Sequence, residues 1–245
     1  LGLFLYHSSD TFSLAGINDY EYFNSGASMI WNHRFTEKRS AHISVATSNY
    51  RFSTIDKTNV SEAYIQDFSI NHHEFRADFL MLDYDAHRIE FGANGILYNL
   101  DRGTIAPYGD ESTRSPLVLG NESGIENALY ISDEYSLSNR LTVLGGLRFS
   151  AYSFLGPQTV YEYAGNNPRE PENIINTYEF NKGEIIKSYT GIEPRLAMNF
   201  LLDDNSSFKA SYNRIKQYIF LLSNTIAIAP NDQWKLTDYN IMPPV

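Results

Sequence analysis

The residues of this sequence that could bind a metal ion are its six histidines and their acidic neighbours. His72 and His73 are adjacent, and adjacent side chains on a β-strand point to opposite faces, so these two cannot chelate one ion. His72 and Glu74 would share a face, but the sequence offers no third ligand beside them. We therefore predict no metal site.

Catalytic groupings are equally poorly supported. The segment GNESG (120–124) does not have the G-x-S-x-G order of a nucleophile elbow. The acidic pairs Asp133-Glu134 and Asp203-Asp204 are adjacent, which removes the paired-carboxylate geometry of acid–base catalysis. The chain has no cysteine and no phosphate-binding glycine loop. These observations predict a protein that is not an enzyme and carries no cofactor.

Arginine and aromatic residues that could capture a ligand occur together in the segments rich in proline and glycine. Aromatic rings stack on sugars or apolar peptide groups, and arginine binds carboxylates. The same residue types also anchor a membrane protein at the lipid–water interface, so both interpretations stay open. The residues are Arg102, Tyr108, Arg114, Tyr161, Tyr163, Arg169, Tyr178, Trp234 and Tyr239.

The elements that must position these residues are strands, because the dominant pattern has period two. In 191–202, for example, Leu196, Met198 and Phe200 alternate with Arg195 and Asn199. Predicted strands are 1–6, 22–35, 41–52, 64–82, 88–100, 125–137, 140–154, 189–202 and 206–220. The pattern Ser123-x-x-Glu126 also permits a helix near 123–138, although the flanking strands favour another strand.

The connections between these strands alternate in length. Short polar turns are predicted at 36–40, 83–87, 138–139 and 203–206. Longer loops are predicted at 7–21, 53–63, 101–124, 155–188 and 221–245. Short turns at one end of a meander and long loops at the other describe an antiparallel transmembrane β-barrel.

Composition agrees with an all-β membrane protein. Hydrophobic residues are only 42% of the chain although aromatic residues reach 14%, a mixture that half-polar strands with aromatic ends would give. No apolar run approaches the roughly 18 residues of a membrane helix. The net charge of −10 argues against a nucleic-acid partner, which would require a basic surface.

Charged residues on the polar sides of these strands should face the barrel interior. A cationic side chain facing lipid at mid-depth costs about 2–4 kcal/mol. In the interior, such residues would line a hydrated wall, pair with each other or contact a bound solute. They are Arg76, Asp78, Arg88, Glu90, Arg148, Glu193, Arg195 and Lys209.

The strand count suggests that the sequence is an internal piece of a larger chain. Nine strands are an odd number, whereas single-chain bacterial barrels use even numbers. An open meander in lipid would also leave backbone groups unpaired at its edges. We expect residues 1–245 to be one portion of a single membrane domain.

Three segments carry a resemblance to a known family: Gly146-Leu147-Arg148, Glu193-Pro194-Arg195 and the run 206–214 (SSFKASYNR). With the sequence around them, they resemble the barrel of TonB-dependent outer-membrane receptors, in particular the branch that takes up starch or peptides. The resemblance implies a 22-stranded barrel filled by an N-terminal plug domain. Neither a plug nor a TonB-contacting segment is recognisable in this sequence.

The resemblance also implies a function and partners. It implies import of a nutrient, whether glycan, peptide or metal chelate, across the outer membrane of a Gram-negative bacterium, with energy from a TonB-type motor. The implied partners are outer-membrane lipid, the plug of the full-length chain and the TonB complex, with a surface lipoprotein lid as a further partner. The interior charges would then hold the plug, and the loop residues would bind the nutrient.

Two other classes of function stay open from the sequence. A small self-contained outer-membrane barrel could act as an adhesin or scaffold, although the Pro-Pro-Val ending argues against a terminal aromatic strand. A secreted carbohydrate-binding β-protein is the third class. The apolar side formed by Leu196, Met198 and Phe200 argues against it.

Overall fold

The structure, a computed structural model, describes residues 1–14, 18–165, 167–222 and 233–244. Its strands, in chain order, are β1 (Gly2–Leu14), β2 (Asn18–Thr36), β3 (Arg39–Asp56), β4 (Tyr64–Met81), β5 (His87–Asp101), β6 (Thr104–Pro107), β7 (Leu117–Val118), β8 (Asn121–Ser138), β9 (Leu141–Leu155), β10 (Gln158–Tyr163), β11 (Ile174–Phe180), β12 (Ile185–Leu201), β13 (Ser207–Asn213), β14 (Ile219–Leu222) and β15 (Gln233–Leu236). Two short 3₁₀ helices cover Val60–Glu62 and Pro171–Asn173. Within the described ranges, no helix is long and apolar enough to cross a membrane.

One antiparallel meander contains the nine long strands, in the order β1-β2-β3-β4-β5-β8-β9-β12-β13. The connections β2–β3, β4–β5, β8–β9 and β12–β13 are short turns at one end of the sheet. Neighbouring turns are tied by backbone hydrogen bonds such as Leu82 N–H to Lys38 O, at 2.8 Å. The longer connections β3–β4, β5–β8 and β9–β12 lie at the opposite end, as predicted, and the sheet confirms the all-β antiparallel fold.

Two predicted strand ends are wrong by seven residues or more, and the others lie within four residues of the observed ends. Residues 7–14 belong to β1, which pairs with β2 from Gly2 to Leu14, so the predicted loop at 7–21 is mostly strand. This segment is polar, and pairing with β2, rather than an apolar pattern, makes it extended. The last predicted strand, 206–220, ends at Asn213 instead. The segment 121–138 is strand β8 and not a helix, because both β5 and β9 pair with it along its length.

The long connections contain structure that the sequence did not predict. Strand β6 pairs with β4 and with β7, β10 pairs with β11, and β14 pairs with β15. The predicted loop at 221–245 therefore contains part of a hairpin, although its residues 223–232 and 245 lie outside the described ranges.

The two faces of the sheet differ in chemistry. The outer face carries exposed apolar side chains such as Leu129, Phe149 and Ile192, which are 65%, 47% and 59% exposed. The inner face carries Glu126, Arg148 and Glu193, with Glu193 only 2% exposed. At the long-loop end the inner face is covered by a buried apolar cluster, made of Tyr98, Leu100, Tyr152, Phe154, Val160, Ile186, Tyr218 and Leu236. A smaller cluster contains Tyr20, Phe52 and Phe68.

Candidate functional site

A network of charged and hydroxyl side chains crosses the four strands β5, β8, β9 and β12 at the middle of the inner face. Arg148 on β9 donates to Glu126 on β8 at 2.9 Å, and its Nε lies 3.6 Å from Glu193 on β12. The register places Glu193 opposite Arg148, which explains this second contact. Tyr98 donates to Glu126 at 3.1 Å, and the Ser150 hydroxyl donates to Glu193. The arrangement stiffens the wall with one cation between two carboxylates.

An open groove of about 650 Å³ lies on the inner face toward the short-turn end. Its lining includes Arg34, Arg76, Arg88 and Arg195, and it borders a smaller pocket that Arg148 and Asn94 help to form. The groove is therefore rich in cations, in a chain whose net charge is −10. A groove lined by cations in this way can bind an acidic protein segment or an anionic solute.

The cations of the groove differ in whether they are neutralised. Arg76 pairs with Asp78 at 2.8 Å, and Arg88 pairs with Glu90, each two residues along the same strand. Tyr130 adds a hydrogen bond to Asp78. In the part of the chain that the structure describes, the Arg195 side chain makes no ion pair or hydrogen bond. The same holds for the Arg34 side chain, so Arg34 and Arg195 are the exposed cations of the groove that are available to a partner.

The eight residues predicted to face the interior all lie on the inner face, but they do not form one site. Arg148 and Glu193 belong to the central network. Arg76, Asp78, Arg88, Glu90 and Arg195 line the groove. Lys209 lies apart from the groove, on the edge strand β13, where it is opposite Asn199.

The loop residues predicted to bind a ligand are held at separate places. Arg102 lies 3.4 Å from Glu122 and 3.5 Å from Gln233, so it contacts both the wall and the hairpin β14–β15 that carries Trp234. Trp234 packs against both buried clusters. The Arg114 guanidinium lies 4.4 Å from the centroid of the Tyr64 ring.

The remaining loop residues contact other parts of the long-loop end. Lys57 lies 5.7 Å from the Tyr108 ring centroid, Lys187 lies 5.7 Å from that of Tyr239, and Arg169 donates to the Asn240 carbonyl at 3.0 Å. Tyr161 and Tyr163 lie on β10, and Tyr178 lies on β11. These contacts give no single pocket that gathers the predicted loop residues.

The hairpin β10–β11 carries a carboxylate with two donors. Asn176 donates to Glu162 at 2.7 Å, and Tyr178 donates to it at 3.0 Å. Because both bonds favour the charged form, the Asn176 bond first and the Tyr178 bond second, the pKa of Glu162 lies below its usual value. Glu162 is therefore a carboxylate that orders this loop.

His72 and Glu74, the two residues considered as metal ligands, share the inner face. The His72 ring centroid lies 5.5 Å from that of Tyr98. In the described ranges, no group of three or more histidine, aspartate and glutamate side chains could hold a metal ion.

Sequence reasoning missed several inner-face residues. Glu126 lies on the side of its strand opposite Ile125, Leu129 and Ile131, so the same period-two argument could have found it. Glu122 and Lys235 are far apart in the chain, and their contact at 2.8 Å has no local signal.

Comparison with known proteins gives one family. The family described as "TonB dependent receptor-like, beta-barrel" matches residues 4–232. A search of curated protein sequences gives no match.

Solved structures share the fold at low identity. The ferric-catecholate import receptor Fiu from E. coli K12 matches in its open form with a TM-score of 0.53 at 13% identity, over 80% of this chain and 36% of that one. Its closed form matches with a TM-score of 0.53 at 14% identity, over 86% and 35%. BauA, the ferric preacinetobactin receptor from Acinetobacter baumannii, gives 0.43 at 12% identity, over 90% and 41%. The chain therefore spans roughly a third to two-fifths of these receptors' length.

Proposed function

Because the chain belongs to the family of TonB dependent receptor-like β-barrels, we propose that it forms part of the wall of an outer-membrane receptor that imports a nutrient with energy from a TonB-type motor. The observation that supports this most strongly is the contrast between the two faces of the sheet. An apolar outer face suits lipid, and a charged inner face suits a hydrated lumen. The family is one of transport receptors and not of enzymes, which agrees with the absence of a catalytic grouping from the sequence.

We propose that residues 1–245 are an internal portion of this barrel, which in full would have 22 strands and a plug domain. Two observations support a larger sheet. Within the described residues β1 pairs only with β2 and β13 only with β12, so both edges are open. In a bilayer each unpaired backbone group costs several kcal/mol, and further strands would satisfy these edges. The chain also covers only 36% of the open-form Fiu receptor.

The plug would contact the groove on the inner face. In this proposal Arg76, Arg88, Glu90 and Arg195 contact the plug, and Arg148 and Glu193 stiffen the wall behind it. Lys209 would contact the plug from the edge strand.

The long-loop end would face the cell exterior and bind the nutrient. Arg102, Tyr108, Arg114, Tyr161, Tyr163, Arg169 and Trp234 are the proposed contacts. Aromatic and arginine side chains suit a glycan, a peptide or a metal chelate, and we assign the receptor to the branch that takes up starch or peptides on the sequence resemblance. A surface lipoprotein lid would be a partner in that branch.

Two measurements on the native, detergent-extracted protein test the proposal. The intact mass should be several-fold above the 28.0 kDa of this chain, since a plug and further strands are needed. Uptake of the nutrient by cells should then require both the receptor and a working TonB complex. A native mass of 28.0 kDa, or uptake that is independent of TonB, would contradict the proposal.

A further inference from the structure

The segment after β13 turns back onto the inner face of the sheet and does not project from it. Tyr218, Leu236 and Thr237 in this segment are buried, with exposed fractions of 2%, 0% and 0%. The Tyr218 ring stacks on Tyr152 of β9 at 4.7 Å between centroids and 7° between planes. The hairpin β14–β15 therefore lies inside the curve of the wall, at the long-loop end.

The carboxylate of Glu122 on the wall forms an ion pair and a hydrogen bond with this hairpin. Glu122 on β8 lies 2.8 Å from the ammonium of Lys235 and accepts the Leu236 N–H at 2.9 Å. Glu122 and Lys235 side chains are only 6% and 9% exposed. Lys235 also pairs with Asp238 at 2.7 Å. A buried charge that loses its partner is strongly unfavourable, so this pair favours the docked hairpin over the released one.

The other contacts between wall and hairpin involve neutral groups. Tyr152 donates to the Thr237 carbonyl at 2.9 Å, and Tyr189 donates to the Asp238 carbonyl at 2.7 Å. A neutral hydrogen bond contributes only about 0.5–1.5 kcal/mol, whereas breaking a buried ion pair is strongly destabilising, so the Glu122–Lys235 pair is the contact whose loss should weaken docking most.

We propose that Glu122 is a positioning residue, which anchors β14–β15 in the barrel interior through Lys235 and thereby holds Gln233 against Arg102. The anchor follows from the contacts above. Its role in nutrient capture rests on the proposed function, which makes Arg102 and Trp234 ligand contacts. Arg102 also reaches Glu122 at 3.4 Å, so one carboxylate contacts both Arg102 and the hairpin that carries Trp234.

The test measures docking of the hairpin by the accessibility of a cysteine at position 237. This stretch contains no cysteine, and the hydroxyl of Thr237 has no hydrogen-bond partner in the described residues, so Thr237→Cys removes no hydrogen bond of that side chain. The full-length receptor, with any other cysteine replaced, is treated in membranes with an impermeant maleimide. Glu126→Gln is the matched control, since it removes another buried carboxylate of β8 that does not contact the hairpin.

Glu122→Gln should raise the labelling rate about tenfold or more, because the buried Lys235 then loses its carboxylate on the wall and keeps only Asp238 of its own segment. Glu126→Gln should leave the rate unchanged. The double variant Glu122→Gln/Lys235→Met should restore protection to within about threefold, because neither charge is then buried alone. Equal rates for Glu122→Gln and Glu126→Gln, or no protection in the double variant, would overturn the anchor.

The labelling experiment still tests the anchor if one variant fails to assemble or if the receptor does not transport. If Glu122→Gln does not assemble, the double variant decides, since a reactive thiol at position 237 in that assembled protein would overturn the anchor. Labelling needs no transport, so a receptor that shows the expected pattern but no TonB-dependent uptake would contradict the proposed function and support the anchor.

Discussion

Arg148 and Glu126 form a hydrogen-bonded ion pair between neighbouring strands, with 2.9 Å between the guanidinium Nη2 and the carboxylate. The two side chains are only 18% and 11% exposed. Arg148 also approaches Glu193, so a single cation balances two buried carboxylates. The stability of this stretch of wall should therefore depend on Arg148 far more than on the exposed cations around it.

Replacing Arg148 with methionine should lower the free energy of unfolding by about 3–5 kcal/mol, since both carboxylates would lose their cation. Urea unfolding of the full-length receptor in lipid vesicles measures this change. Arg88→Met is the matched control, because the Arg88–Glu90 pair is exposed and such pairs contribute about 0–1 kcal/mol. Equal losses for the two variants would show that Arg148 is not a buried balancing charge.

Arginine substitutions on the outer face should destabilise the barrel, and the loss should be larger near the middle of the bilayer than near its surface. Leu129→Arg, near the middle of β8, should cost about 2–4 kcal/mol, and Met198→Arg, near the end of β12, should cost less. Asn199→Arg places the same side chain on the inner face and should have little effect. Membrane yield and heat-modifiable mobility on gels measure assembly of each variant. Normal assembly of Leu129→Arg would contradict the assignment of this face to lipid.

Most strands of the meander could be predicted because the alternation of apolar and polar residues that marks them is a local feature of the sequence. In β9, for instance, Leu147 and Phe149 alternate with Arg148 and Ser150, and a polar turn precedes the strand. The first strand shows the limit of this argument. Residues 7–14 have few apolar side chains, and only hydrogen bonding to β2 makes them a strand.

The sequence predicts which face of the sheet carries the residues of the site, but it does not predict which of those residues lie together. Period two places Arg76 and Arg195 on the same side of the sheet, yet the groove that they share depends on how strands far apart in sequence are arranged. The hairpin anchored by Glu122 depends on a contact with Lys235 that spans much of the chain. No local pattern encodes such a contact.

The loop hairpin β10–β11 should lose stability in acid. Since hydrogen bonds from Asn176 and Tyr178 hold the pKa of Glu162 below its unfolded value of about 4.3, this contribution is present above that pH. It is lost as the pH falls through the lower, folded pKa. Hydrogen exchange of peptides from 158–180, corrected for intrinsic rates, should show faster opening as the pH falls through and below the ordinary pKa of a glutamate.

Two variants separate this effect from general acid sensitivity. Glu162→Gln should open the hairpin at neutral pH and remove most of the pH dependence. Glu179→Gln, on the opposite face of the same hairpin, should leave both unchanged. A hairpin whose exchange responds to pH equally with and without Glu162 would rule out this carboxylate as the cause.

Reversing the charge of Arg195 should weaken retention of the proposed plug in the full-length receptor. Arg76 and Arg88 are neutralised by neighbouring carboxylates, whereas Arg195 is exposed in the groove without a partner among the described side chains. A hydrogen bond to a charged group contributes about 1.5–3 kcal/mol, so Arg195→Glu should release the plug at a lower urea concentration, detected by protease cleavage. Lys209→Glu makes the same change on the same face outside the groove and should have a smaller effect. If the two variants release the plug at the same urea concentration, Arg195 has no special role in holding it.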